Sequence, residues 1–451
     1  MNPTATPTPG ETTIQTTPDD QRFAAALGRL VSREIDREDL LGLGENSLEG
    51  WGEEQVVHIQ IPLDVTEYTA IALSFTEDMP NIPVERVRGG RGLHPVWGVL
   101  ETPEGNLPYL LSVTMHLRAG ELGDFECLLT LMHASQTGYG DNSHLKLAVL
   151  NRHADSARAW VAERRERASR DHDPLRGRVV ELYFSGGDLY PRIVAAPARE
   201  NGGVVVDEAI LEEIDRNVTG HLEAREILSK AGLGCNRGIL LYGPPGTGKT
   251  SLVRDIIGST AGKATVLIPE SGVAAEALGY IYRDAVRLSP AVVVLEDVDA
   301  VAGRRGHRTD TNLAGFLNAL DGVVQDERSL VITVATTNDP AGIDDAAKRP
   351  GRIDKFIEVP LPDRQKRERI LAGYLQRLGA GGIENRTSEE TVRHIANAAD
   401  GASGALLKEV VRRALLIAHR RSTSGGVEDQ DLQEAAGEIG YRVESRNGQY
   451  L

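Results

Sequence analysis

Cysteine is nearly missing from this 451-residue chain: there are two, Cys127 and Cys235, far apart and outside any CxxC or Cys/His cluster. That usage argues against a disulfide framework and against a structural zinc site. No uninterrupted apolar run is long enough to cross a bilayer, so no membrane span is expected. Bases are outnumbered, 50 Lys and Arg against 66 Asp and Glu, and the net charge of −16 repels polyanions over most of the surface. A general nucleic-acid-binding function is therefore disfavoured, while a local basic channel stays compatible with the balance. The opening MNPTATPTPGETTIQTTPDD lacks the basic n-region and apolar h-region of a signal or transit peptide, and a cytoplasmic location is expected.

What the chain does have is length for more than one core, roughly two or three domains. Its 40% hydrophobic and 26% charged residues fit a soluble globular protein. Residues 1–20 are rich in Thr and Pro and almost without large apolar side chains; they cannot offset the entropy of ordering and are expected to form a disordered tail. Residues 21–195 read as an α+β domain that holds a partner or substrate. In it Phe23–Leu41 and HADSARAWVAERRERAS from His153 have helical periodicity, and VVHIQIPL from Val56, FECLLTLM from Phe125 and RVVELYF from Arg178 read as strands. Leu111, Val113, Met115 and Leu117 alternate with Ser112, Thr114, His116 and Arg118, and the preceding TPEGNLP, with Gly105 and Pro108, predicts a hairpin turn. No acid or histidine of this region falls into a catalytic spacing. His116 reads as a solvent-facing strand residue, and Arg164, Arg165 and Arg167 as the solvated face of a helix.

From about residue 200 strands and helices alternate. RGILLYG, ATVLIP, VVVLED, SLVITVATTN and FIEVPL predict a five-stranded parallel sheet with helices on both faces, spanning residues 200–362. Apolar residues at helical spacing in Lys366–Leu378, Glu389–Ala399 and Gly404–His419 predict a helical lid over 363–440, followed by a flexible C-terminus at 441–451.

Between the strand RGILLY and the helix TSLVRDIIG stand Gly243, Pro244, Pro245, Gly246, Thr247, Gly248, Lys249 and Thr250, a complete GxxxxGK[ST] phosphate-binding loop. The fold class this implies is an α/β P-loop NTPase. Its glycines let backbone amides turn inward around phosphate oxygens, and the following helix presents its positive N-terminal end. Lys249 is then the partner of the β and γ phosphates of ATP, and the Thr250 hydroxyl a ligand of Mg²⁺. Ser251 is counted with the nucleotide contacts but sits too far round the helix to share the metal. The run VVVLEDVD from Val292 ends a neighbouring strand in acids, opposite the phosphate loop. The usual order in such ATPases is four apolar residues, Asp for the metal shell, then Glu as base. Here the order is reversed: Glu296 takes the metal-shell position, within reach of Mg²⁺ through a water, and Asp297 takes the position of the base. A protein that holds nucleotide without hydrolysing it is the alternative to an active enzyme.

These residues resemble the AAA clade of the AAA+ ATPases, whose second region of homology is matched by TVATTNDPAGIDDAAKRPGRIDKFIEVPLPD. The resemblance implies that Asn338 orients the attacking water and that Arg349 and Arg352 are arginine fingers reaching a neighbouring subunit's nucleotide, where such charge compensation is worth about a thousandfold or more in rate. GASGALLKEVV resembles the clade's GxSGAD sequence and implies that Gly404 and Ala405 lie near the adenosine, with Leu406 in place of the usual Asp. LAGFLNALDGV and the reversed acids resemble the branch of the mitochondrial Rieske-protein translocase and its bacterial relatives. Two features depart from relatives: no N-terminal membrane helix is expected, and Gly272, Val273 and Ala274 stand where threading members place an aromatic paddle. Tyr280 and Tyr282 read as packing residues. The loop with Arg304, Arg305, His307 and Arg308 reads either as a pore contact for an acidic partner or as a solvated loop. HExxH is absent, so no fused metalloprotease of that type is expected.

The resulting expectation is an ATP-hydrolysing homo-oligomeric ring, a hexamer or heptamer, that remodels, translocates or assembles a protein partner. The alternative is a nucleotide-switched assembly or scaffold protein with slow turnover, for example of a secretion or phage-tail-like apparatus.

Overall fold

The computed structural model describes residues 56–78, 82, 87–88, 95–136, 143–185, 188–198, 204–270, 275–298, 329–340, 352–421 and 426–441. The expected tail, the Phe23–Leu41 helix, Gly272, Val273, Ala274, the arginine-rich loop, LAGFLNALDGV, Arg349 and residues 442–451 lie outside them. The chain divides into two compact units, Met1–Val99 with Pro108–Asp173, and Leu100–Leu107 with Pro174–Leu451.

One sheet, most of whose residues are in the first unit, is formed by strands β1 (Val56–Leu63), β2 (Val87–Arg88), β3 (Val96–Thr102), β4 (Gly105–Leu117), β5 (Cys127–Met132) and β6 (Ser143–Leu150) in the order β1-β6-β5-β4-β2, with β3 on β4. Every pair whose register is defined along that order is antiparallel. The period-two pattern of β5 explains its placement: Cys127, Leu129 and Leu131 are buried while their neighbours are half-exposed. Helices α1 (Val65–Asp78) and α2 (Ala154–Asp171) complete the core with Tyr68, Ile71, Phe75, Ala157, Val161 and Ala168. The expected hairpin forms, but β4 restarts at Gly105 and runs through Pro108, so the turn is shorter than TPEGNLP suggested.

Two surface readings are corrected. Arg164 is buried, not solvated: its guanidinium donates to the Ser74 carbonyl (2.8 Å) and hydroxyl (3.1 Å), pairs with Asp78 and lies 4.3 Å from the Phe75 ring. It falls on the inward face of α2, in phase with Ala157, Val161 and Ala168, because a buried cation is tolerable only when fully partnered. His116 is half-buried, its Nε2 2.8 Å from Glu126 Oε1.

The second unit is built on a seven-stranded sheet of β7 (Val179–Ser185), β8 (Asp188–Val194), β9 (Arg237–Tyr242), β10 (Thr265–Pro269), β11 (Ala291–Leu295), β12 (Val331–Thr337) and β13 (Lys355–Glu358), in the order β13-β9-β12-β11-β10-β7-β8. The five expected strands are all present and parallel. The sheet is larger than expected because β7 adds to it in parallel through Val266↔Val179 and β8 returns antiparallel at the edge. Residues 179–194, assigned by sequence proximity to the N-terminal domain, thus belong to the second unit; the division falls at Asp173 and Pro174 rather than near 195.

Along the chain follow α3 (Glu208–Asn217), α4 (Thr219–Glu223), α5 (Arg225–Ala231), α6 (Lys249–Thr260) and α7 (Ala275–Arg287). Ile239, Leu241, Val292, Val294, Ile332 and Val334 share a cluster with Leu252, Val253 and Ile256 of α6. Thr333, of opposite parity on β12, meets the Tyr282 hydroxyl of α7 at 2.9 Å. The two helices therefore cover opposite faces. Tyr282 packs as expected, whereas Tyr280 is part-exposed beneath Arg283.

The lid has the three expected helices, α8 (Arg364–Ala380), α9 (Glu389–Ala398) and α10 (Gly404–Arg421), and a fourth, α11 (Asp429–Ile439). Asp363 and Ser388 cap α8 and α9 through bonds from Lys366 N–H and Thr391 N–H. Leu371, Leu375, Ile395, Leu407, Val410 and Leu432 make its core. Among the described residues no helix is long and apolar enough to cross a membrane.

His133 supplies a pH test of the first unit. It is 3% exposed, its Nδ1 accepts from the Ser135 N–H (3.1 Å), and burial pushes its pKa down to about 4. The unfolded chain holds a proton there up to the ordinary range near 6.5, so stability is full above that pH and falls, by about 3 kcal/mol, as pH drops toward 4. Trp97 and Trp160 pack against the core of this unit, and the sequence from Pro174 onward contains no tryptophan. Urea midpoints followed by tryptophan fluorescence should fall over that window, and the fall should be shallower in His133→Asn.

Candidate functional site

Strand β9 is apolar through Gly238, Ile239, Leu240 and Leu241, is buried between β13 and β12, and delivers the chain at Tyr242 into the glycine-rich loop. Gly243 has φ +149°, and a Cβ there would lie 2.2 Å from the Val359 carbonyl oxygen, so both conformation and space demand glycine. Gly246, at φ +77°, is met by the lid: a Cβ would lie 2.8 Å from both Ala405 Cβ and Ser403 Oγ, and the Ala405 N–H donates to the Gly246 carbonyl at 3.2 Å. Within the loop the Thr247 hydroxyl donates to the Pro244 carbonyl at 3.0 Å. Gly248 then caps α6 with Val204 packed 3.5 Å from its Cβ position.

Lys249 opens α6 and is 7% exposed. Its ammonium donates to the Gly243 carbonyl (2.7 Å), the Pro244 carbonyl (3.0 Å) and Asn338 Oδ1 (2.8 Å). A buried ammonium needs an oxygen for each of its three donors, and these three serve. Asn338 reaches the loop because β12 is the neighbour of β9 and extends to Thr337, opposite Tyr242. The sequence reading placed Lys249 and Asn338 in one site, and the structure brings them into direct contact.

The acids lie past the end of β11. Its ladder with β12 closes at Leu295↔Ala335, after which Glu296 and Asp297 turn away. Glu296 Oε1 is buried and has no hydrogen-bond partner among the described residues. Asp297 is exposed, has φ +50°, and its N–H donates to Thr336 Oγ1 at 3.0 Å. An orphaned carboxylate oxygen, together with the Thr250 hydroxyl on the exposed side of α6, is a donor set of the kind Mg²⁺ takes, which keeps several waters and phosphate oxygens beside one or two protein oxygens. Among the described residues there is no group of three or more His, Cys, Asp or Glu that could hold a metal alone.

Arg352 is not gathered into this site. Its carbonyl packs against Gly238, where a Cβ would lie 1.6 Å away, and Asp354 N–H donates to the Gly238 carbonyl at 2.9 Å. Gly238 stands at the start of β9 and the phosphate loop at its end, roughly 13 Å along the strand. In the lid, Ala405 meets the phosphate loop, Gly404 lies 3.3 Å from the Gly246 carbonyl by its Cβ position, and Leu406 is 42% exposed.

Four features escaped the sequence reading: Ser403 beside Gly246, Val204 beside Gly248, Thr336 beneath Asp297, and Lys366, which bridges Asp207 before α3 and Asp363 before α8, both at 2.6 Å. Thr336 had only a weak signal, as one of three hydroxyls, with Thr333 and Thr337, in a buried strand; the others depend on contacts across the chain.

The family described as the ATPase family associated with various cellular activities (AAA) matches residues 239–361. The chain is 31% identical over 236 residues to a cell division cycle protein 48 homolog of Archaeoglobus fulgidus, covering 50% of this chain and 31% of that protein. It is 34% identical over 242 residues to the ATP-dependent zinc metalloprotease FtsH 2 of Sphaerobacter thermophilus (51% and 35%), and 33% identical over 226 residues to a proteasome-activating nucleotidase of Methanothermobacter thermautotrophicus (47% and 53%). The chain thus spans about a third to a half of the length of these relatives. Over residues 239–361 the chain is similar to a family described as ATPases.

Replacing the ammonium isosterically tests the phosphate loop. Lys249→Met should keep a cooperative thermal transition yet bind a fluorescent ATP analogue about ten- to a hundredfold more weakly, the worth of one charge-assisted contact.

Proposed function

We propose that this chain is an ATP-driven machine that works as a homo-oligomeric ring and remodels, moves or assembles a protein partner held by its first unit. The observation that carries the reading is Lys249: a buried ammonium, held by two loop carbonyls and by Asn338, poised to exchange those oxygens for phosphate oxygens. Glycines at 243, 246 and 248 turn the loop amides inward, and Thr250, Ser251, Gly404 and Ala405 border the same nucleotide. A magnesium ion, held by Thr250 and Glu296, supplies positive charge against the β and γ phosphate oxygens when bound. Asp297 accepts the proton of the attacking water, and Asn338 orients that water. Lys249 holds the phosphate oxygens as charge moves onto the leaving group.

Arg352, with Arg349, acts on the site of the adjoining subunit; its backbone lies a strand length from its own phosphate loop, which favours action in trans. A hexamer or heptamer meets that need. Relatives bear names that speak of proteasome activation and of proteolysis, which supports a protein as the thing acted on. The reversed acids and LAGFLNALDGV support a place in the branch of the Rieske-protein translocase, with a folded or loosely gripped partner, since Gly272, Val273 and Ala274 offer little to grip an unfolded strand. A cytoplasmic location belongs to the same reading.

Two experiments decide it. Asp297→Asn should bind Mg-ATP as the wild type does and hydrolyse it at least about a hundredfold more slowly, because an amide accepts no proton, while Glu296→Gln should raise the magnesium concentration for half-maximal rate. Arg352→Ala and Lys249→Ala subunits, each nearly inactive alone, should regain part of the turnover on mixing. Full activity in a monomeric fraction would refute the ring.

A further inference from the structure

The acid turn holds a backbone feature that the roles assigned above do not use. Asp297 is the one non-glycine residue with positive φ among the described residues, +50°. Left-handed backbone is unfavourable for residues with a Cβ, and Asp and Asn enter it more readily than Glu. The reversed order of the acids therefore sets the shorter one, whose side chain tolerates this backbone, at the position where the turn goes left-handed.

What holds the turn is legible in the registers. Strand β11 leaves its ladder after Leu295↔Ala335, but β12 continues on its other side, pairing Thr336↔Leu241 and Thr337↔Tyr242 with β9. Thr336 is thus fixed by the strand that leads into the phosphate loop while its side facing β11 has lost its backbone partner. Its hydroxyl oxygen takes over there and accepts the Asp297 N–H at 3.0 Å. Thr336 is 2% exposed, in a strand buried at every position. The other hydroxyls of β12 have different contacts: Thr333 meets Tyr282, and Thr337 accepts from the Asp339 N–H. The cost of a left-handed residue and the net worth of one hydrogen bond are of the same order, so a single bond decides whether this turn is kept.

We propose that Thr336 is a positioning residue for hydrolysis: its hydroxyl latches the left-handed turn at Asp297 and so ties the carboxylate to the rigid strand that carries Asn338 two residues further on. This rests on the reading of Asp297 as the base. The latch acts on the chemical step and not on nucleotide binding, because Thr336 touches neither the phosphate loop nor Lys249 in the contacts described.

The test uses the full-length protein, with ATPase rates at saturating Mg-ATP and affinity for a fluorescent ATP analogue. Thr336→Val should lower kcat about ten- to a hundredfold, the scale of a misplaced reacting group, with affinity within about twofold, and Thr336→Ser should restore most of the rate. A packing role would not predict the decisive reading: in an Asp297→Asn background, Thr336→Val should cost little further, because the latch acts only through that carboxylate. An equal loss in both backgrounds overturns the latch and leaves the base standing, as does an unchanged kcat in Thr336→Val. Wild-type turnover in Asp297→Asn overturns both. If Thr336→Val does not fold, Ser against Ala at 336 carries the comparison: a higher kcat for Ser supports the latch, and equal rates overturn it.

Discussion

A buried ammonium must be surrounded by oxygen, and the way Lys249 meets that demand organises the second unit. Two of its oxygens come from the loop it closes and the third from Asn338 on another strand. For the loop carbonyls to converge, the backbone must turn left-handed at Gly243, Gly246 and Gly248. For Gly243 to lie where it does, the Val359 carbonyl must occupy the space of a side chain, so the chain leaving β13 is part of the same arrangement. The lid enters through the Gly246 carbonyl, which the Ala405 N–H meets. Phosphate loop, end of β13, tip of β12 and start of α10 are thereby one mechanical piece.

Sheet register does for the acids what the ammonium does for the loop. Strands β9, β11 and β12 run parallel, and their C-terminal ends present functional groups at one edge because each ends at a slightly different height. Strand β11 stops first, and its successor residues fold over the end of β12. Glu296 is left with an oxygen inside the protein and no hydrogen-bond partner among the described residues, while Asp297 turns outward. Two adjacent carboxylates thus receive opposite environments, one buried and one exposed, from a single turn. That separation is what the proposed roles, cation for Glu296 and water for Asp297, would require.

Much of this was legible in the amino-acid order, for a physical reason. The phosphate loop, the apolar strands and the acid turn are encoded locally: glycines where φ must be positive, buried apolar runs for parallel strands, carboxylates at a strand end. Thus β9 to β13 and the placing of Lys249 and Asn338 at one site could be anticipated, though not their direct bond. Sheet membership is not local. RVVELYF looked like a strand and is one, but only its bonds to β10 reveal that it extends the ATPase sheet. Arg164 shows the same limit in a side chain: a run of arginines on a polar helix reads as solvated, and only Ser74, Asp78 and Phe75, far away in sequence, make one of them a core residue. The fourth lid helix, α11, was overlooked because its apolar face is mostly alanine, Ala435 and Ala436 beside Leu432, which gives a weak periodic signal.

The anchoring of Arg352 carries the remaining step. Its carbonyl fills the space beside Gly238 that any side chain would need, and Asp354 bonds the same glycine through both its backbone N–H and its carboxylate. The segment is therefore fixed at the start of β9, whereas the chemistry lies past the end of that strand. Lengthening or shortening the arginine would not bring it to its own nucleotide, because the strand between them is buried and regular. On the proposed reading, an arginine held at this end of β9 would reach a nucleotide only in a second copy of the chain. Under the ring proposed above, the rigidity of β9 would serve two sites at once: its end would shape the phosphate loop of one subunit, and its start would hold the arginine offered to the next.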